Sequence, residues 1–133
     1  MSTHPARHVS VSIARPPAAV AAYLADGEKL PTWASGLGNT IRRGVEGEWL
    51  ADGPLGRIRV RFAPTNDLGV FDHDVTLESG ETVHNPLRVL PNGDGSEVVF
   101  TLFQRPDVSS QALDEDAAAV TQDLGKLKSL LEA

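Results

Sequence analysis

FDHDVTLESGETVHNPLRVLPNGDGSEVVFTLFQRPD, residues Phe71 to Asp107, is the stretch that decides the fold. Phe71, His73, Val75 and Leu77 alternate with Val70, Asp72, Asp74 and Thr76. Alternation with period two marks a strand with one face in the core and one in water. Glu78-Ser79-Gly80 reads as a turn, after which Val83, Asn85, Leu87 and Val89 share one face. Asn92-Gly93 and Asp94-Gly95 carry the strongest short hairpin signal. Glu97 to Gln104 is apolar on both faces, and its polar ends assign Val98, Phe100 and Leu102 inward. Pro106, which lacks an N–H, ends the sheet.

On the C-terminal side, Ser109 or Ser110 is placed to cap a helix, with Asp114, Glu115 and Asp116 near its positive end and Lys126 and Lys128 near its negative end. Leu113, Ala117, Val120, Leu124, Leu127 and Leu131 step by three and four, which makes one apolar stripe. The helix should run about 22 residues, roughly 33 Å. Gly125 costs it roughly 1 kcal/mol relative to alanine. Room for a ligand, room for a close strand and simple surface tolerance are all open readings of that glycine.

On the N-terminal side, the pattern is strands and hairpins back to Asn39. Arg57, Arg59 and Arg61 alternate with Ile58, Val60 and Phe62, and Trp49 shares a parity with Gly47 and Ala51 while Glu46 and Glu48 take the other. The acids belong in water, so Trp49 should face inward. Val9, Val11 and Ile13 alternate with His8, Ser10 and Ser12 in a first half-buried strand. Pro16-Pro17 suits the first turn of a helix, Val20, Tyr23 and Leu24 follow at helical spacing, and Gly27 is read as its C-terminal cap. A second short helical turn is expected over Glu28 to Trp33, with Gly36 and Gly38 at its exit.

The expected class is α+β: a curved antiparallel sheet of six to seven strands packed on one long C-terminal helix, with one or two short helices after the first strand. The 133 residues suffice for a single domain, 1–133, and not for two independent cores. One helix is about 10 Å across, whereas six or seven strands at roughly 4.8 Å are about three times wider. Even a curled sheet therefore leaves a gap, and an apolar gap with a few polar groups is what a small-molecule site requires. The candidate lining is Trp33, Trp49, Phe62, Phe71 and Phe100, with His73 and Asn85 as the polar pair.

Composition narrows the chemistry. The chain has no cysteine, so disulfides, thiolate metal sites and a cysteine nucleophile are excluded. Its net charge of −6 disfavours a nucleic-acid partner, and Arg42-Arg43 and Arg57, Arg59 and Arg61 are read as a solvated face. No apolar run approaches the roughly 18 residues of a membrane span, and Met1 to Arg7 lacks the apolar stretch of a signal peptide. A cytoplasmic protein without an integral membrane segment is the expectation. No G-x-S-x-G elbow, P-loop or dinucleotide glycine fingerprint is present, so no cofactor is expected.

The chain also resembles a known superfamily. VSVSIARPPAAVAAYLADGEKLPTWASG looks like the strand, proline-initiated helix and tryptophan turn of START-like (SRPBCC) helix-grip proteins. Residues 71–107 look like the central strands of its polyketide cyclase/dehydrase and lipid-transport-like branch, and AAAVTQDLGKLKSLLE looks like that branch's terminal helix. The resemblance implies a cavity for a small hydrophobic ligand: a lipid, an isoprenoid or an aromatic polyketide. A minority of such proteins catalyse cyclisation or dehydration, so a lyase-type activity is a rival expectation, and an interaction or stress-accessory protein is a third.

His73 can be read as an acid–base group, as a hydrogen-bond partner for a ligand, or as a buried histidine paired with Asn85 or a backbone group. Asp72-His73-Asp74 does not make a metal site, because neighbouring strand residues point to opposite faces; no metal is expected. Asn85 on the inner face needs a partner, with pairing inside the fold as the first reading. Trp33 is read either as standing at the cavity mouth or as a plug between helix and sheet. Val99 and Phe103, on the outer face of the last strand, leave a homodimer open.

Overall fold

The computed structural model describes residues 1–38 and 40–133; Asn39, the start of the expected strand region, lies outside them. Among the described residues, eight antiparallel strands form two sheets. β1 (Ala6–Ile13), β8 (Gly95–Phe103) and β7 (Leu87–Asn92) make a three-stranded sheet in the order β1-β8-β7. β2 (Thr40–Arg43), β3 (Glu48–Gly53), β4 (Gly56–Phe62), β5 (His73–Thr76) and β6 (Thr82–Asn85) make a meander in sequence order. Between β1 and β2 lie α1 (Pro17–Ala25) and the single turn α2 (Leu30–Trp33); α3 (Ser110–Glu132) closes the chain. Among the described residues no helix is long and apolar enough to cross a membrane.

The strand count exceeds the expected six to seven because Pro86 divides one inner-facing run. β6 pairs with β5, whereas β7 pairs with β8, so the chain changes sheets at the proline. Proline has no N–H to give a ladder, but its carbonyl accepts from Thr101 N at 3.0 Å. A second crossing lies at Gly69–Phe71, where Val89 N donates to Gly69 O at 2.9 Å and Phe71 N to Leu87 O at 2.8 Å. Asp72 reinforces this seam. Its carboxylate accepts from Leu87 N at 2.9 Å and takes a two-pronged bond from Arg88 at 2.8 Å on each oxygen. A two-pronged arginine–carboxylate pair fixes orientation as well as contact.

The β7–β8 hairpin turns at Gly93-Asp94, with Gly93 at φ +59°, as the first loop position of a type II′ turn demands. α3 begins where expected: Ser109 caps it by accepting from Ala112 N at 3.1 Å. Its far end is tied to the first strand and to the two residues beyond that strand. Lys128 Nζ donates to Ser12 O at 2.6 Å, Ala14 N donates to Glu132, and Arg15 donates to the Leu131 carbonyl at 2.9 Å.

Gly27 does not cap α1; Asp26 ends that helix and Gly27 opens a short 3-10 turn. Its lack of a side chain serves packing instead. A Cβ there would stand 2.0 Å from the Trp49 indole, which Gly27 receives directly.

The core has two parts. The larger joins Ile13, Val20, Leu24, Trp33, Val98 and Phe100 to Leu124, Leu127 and Leu131 of α3. The smaller, under the five-stranded sheet, consists of Ala51, Ile58, Val60 and Val75. Phe62 and Leu37 pack against both. On the outer face of β4, Arg57 pairs with Asp52 at 3.2 Å and Arg61 with Glu48 at 3.6 Å.

Candidate functional site

Between the two core parts, under the middle turns of α3, lies a cavity of about 320 Å³. Its buried wall is built by Leu30, Trp33 and Ala34 around α2, His73 and Val75 of β5, Phe100 of β8 and Leu124 of α3. The lining residues in open contact with solvent, and hence its rim, are Gly36, Leu55, Asp116 and Ala119. A wider groove of about 540 Å³ on the outer side of the five-stranded sheet is lined by Asp52, Arg57, Arg59 and Glu78 and has no comparable apolar wall.

Register explains the polar pair. His73 and Asn85 face one another across β5 and β6, and both line the cavity. They are not bonded to each other. His73 is 7 % exposed, and its Nδ1 donates to the Phe71 carbonyl at 3.0 Å. A carbonyl can only accept, so Nδ1 carries the proton and Nε2 of the neutral ring is an acceptor. Burial pushes the imidazole below its ordinary pKa, with the Phe71 bond opposing, so the ring is neutral at pH 7. Nε2 has no partner among the described residues. Since no fully buried side-chain polar atom there lacks one, Nε2 reaches the cavity space. The Asn85 side chain likewise has no hydrogen bond among the described residues, so pairing within the fold does not satisfy it.

The flanking acids of the histidine are engaged elsewhere: Asp72 with Arg88, and Asp74 with His84 at 2.6 Å. Phe62 and Phe100 hold the imidazole by ring contacts, with centroids 5.1 and 5.9 Å away.

Of the seven residues expected to line the site, Trp33, His73, Asn85 and Phe100 do so. Trp33 is 4 % exposed and belongs to the wall; it does not stand at the mouth. Trp49, Phe62 and Phe71 are not part of the lining. Trp49 is spent against Gly27, with the Arg43 guanidinium 4.8 Å over its ring. Phe62 bridges the two core parts, and Phe71 packs on the larger one. On the outer face of β8, Val99 is half-buried and Phe103 is 49 % exposed.

Sequence reasoning missed the ionisable groups of the cavity other than His73. Asp116 and Asp123 of α3 and Arg105 all line it. Arg105 is bound by the Glu81 carboxylate. Asp123 Oδ1 accepts from Ser35 Oγ at 2.8 Å and Ser35 N at 3.3 Å, which ties the loop after α2 to α3. Burial pushes its carboxyl above the ordinary range, against the pull of the Ser35 bonds and Lys126. The available signal was helical spacing: positions 116, 120, 123 and 124 share a face.

The family profile for polyketide cyclase / dehydrase and lipid transport matches residues 6–132. No curated protein matches the chain. Among solved structures, XoxI of Bacillus cereus is similar at 16 % identity and TM-score 0.75, over 95 % of this chain and 94 % of its own. DynU16, a protein in the dynemicin biosynthetic locus, is similar at 13 % identity and TM-score 0.76; 96 % of this chain corresponds to 47 % of DynU16. Ara h 8.0201 is similar at 14 % identity and TM-score 0.67, over 96 % of this chain and 97 % of its own. These likenesses concern the fold.

Proposed function

The chain belongs to the polyketide cyclase/dehydrase and lipid-transport family, and from that premise we propose that it binds one small, largely apolar molecule in the cavity beneath α3. The observation that carries this reading is a space of about 320 Å³ walled by Trp33, Val75, Phe100 and Leu124, into which His73 and Asn85 present unpaired polar atoms. Apolar area removed from water at about 25 cal/mol per Å² supplies the affinity, and the polar pair sets the orientation. Lipids, isoprenoids and aromatic polyketides are the classes to try. Native mass spectrometry of gently purified protein tests the reading. The expected result is a mass excess that is lost on denaturation and absent from a Val120→Trp variant, whose indole fills the space. A bare protein that also takes up no member of a panel of those classes overturns it.

A second reading rests on the tautomer of His73. A neutral imidazole with Nδ1 fixed on a carbonyl and Nε2 facing a cavity is set up to take a proton from a bound substrate. In a cyclase or dehydratase such a base contributes about 10²- to 10⁴-fold. Turnover of an aromatic polyketide precursor that survives His73→Ala unchanged removes this reading and leaves binding untouched.

A further inference from the structure

Resting on the cavity as a ligand site, we propose that its guest is polar at both ends: a hydrogen-bond donor such as a hydroxyl at the inner end, and a cation such as a protonated amine at the rim. The inner requirement comes from His73. Its Nε2 is an acceptor in a ring 7 % exposed and reaches the cavity space, so a guest that fills the inner end must offer it N–H or O–H or leave it unpaired. The neighbouring Asn85 amide tolerates either polarity.

The outer requirement comes from charge balance. The ionisable lining groups besides His73 are Arg105, Asp116 and Asp123. Arg105 is neutralised by Glu81, whereas Asp116 has no salt-bridge partner among the described residues and Asp123 is hydrogen-bonded to the uncharged Ser35, with Lys126 acting on it only as a nearby charge and not as a salt-bridge partner. Both acids lie on the cavity side of α3, seven residues apart with Ala119 and Val120 between them. At 1.5 Å per residue, a cation above Ala119 stands about 5 Å from either along the helix axis. Such a cation relieves the cost of burying Asp123, and a carboxylate headgroup adds to it. At about 320 Å³ the space lies at the small end of the range of about 300–1,000 Å³ for ligand pockets, so the apolar body is small.

Four naphthalene probes and calorimetry test this on the whole chain: 6-ethyl-2-naphthol, 6-(2-aminoethyl)-2-naphthol, 3-(6-hydroxy-2-naphthyl)propionate and 2-(2-naphthyl)ethylamine. The aminoethyl naphthol should bind about tenfold tighter than the ethyl naphthol, and the propionate about tenfold weaker. Removing the hydroxyl should cost the amine about fivefold. Asp116→Asn with Asp123→Asn should abolish the preference for the amine over the ethyl naphthol; His73→Phe should abolish the preference for the hydroxyl. An amine that binds no better than the neutral probe, or a propionate that binds as well, overturns the inference while the ethyl naphthol still reports a working cavity. If none of the four binds, the cavity reading falls and this one with it.

Discussion

Two stretches of α3 rest on different ground. Toward its C-terminus, Leu124, Leu127 and Leu131 join a continuous core with the three-stranded sheet and α1. Across its middle turns, the flank formed by Asp116, Ala119, Val120 and Asp123 faces the cavity, whose opposite wall includes His73 and Val75 of the five-stranded sheet. One helix thus serves two purposes, its C-terminal leucines closing the core and the flank of its middle turns facing open space. Close packing along the buried stripe stabilises the fold well enough that the neighbouring flank can stay open.

Truncation is the most direct way to break that contrast. Leu127, with no exposed surface, should cost about 2–5 kcal/mol as Leu127→Ala, whereas Val120→Ala beside existing space should cost under about 1 kcal/mol. Urea unfolding measures both, and equal costs would mean that the two stretches are packed alike.

The seam between the sheets comes next. Asp72→Ala leaves Leu87 N unpaired and should cost about 1–3 kcal/mol. Arg88 holds the Asp72 carboxyl below the usual carboxylate range. The pair therefore stabilises the fold above that range and stops doing so as pH falls through the lowered value. Acid unfolding of Arg88→Met should accordingly start at higher pH than in the parent.

His73 sharpens the comparison on the cavity side. Its folded pKa lies below that of the unfolded chain, so the unfolded state binds more protons and stability rises with pH. The contribution is complete above the ordinary histidine value near 6.5 and declines as pH drops below it. Urea midpoints between pH 5 and pH 7.5 should slope upward, and His73→Phe should flatten that slope.

The smallest effect belongs to Gly125. A Cβ there meets nothing within 4 Å, so of its three readings the close strand is removed. Gly125→Ala should raise stability by up to about 1 kcal/mol through helix propensity, read as a rise in thermal midpoint.

The fold was legible because both of its periods are clean. The stripe of α3 follows from helical spacing, and the inward parity of Val98 and Phe100 from the polar residues that bracket an otherwise two-sided apolar run. The site was legible only in part, since parity states which face a residue takes and not what stands opposite it. Trp49 has its expected parity, yet its indole is used up on Gly27, a contact between segments far apart in sequence. Asp116 read as a charge complementing the helix N-terminus, and only the tertiary arrangement puts it on the cavity rim. The break at Pro86 was visible in the sequence, but that it moves the chain to another sheet depends on the pairing of β7 with β8.

The seam at Asp72 and Pro86 also sets how the molecule comes apart. The ladders of β2 through β6 connect to the rest of the backbone network through a few bonds at residues 69–72 and 86–89. Amide protons of that meander should therefore exchange with deuterium through a sub-global opening that leaves β1, β8 and β7 protected, and bound guest should slow the first group far more than the second.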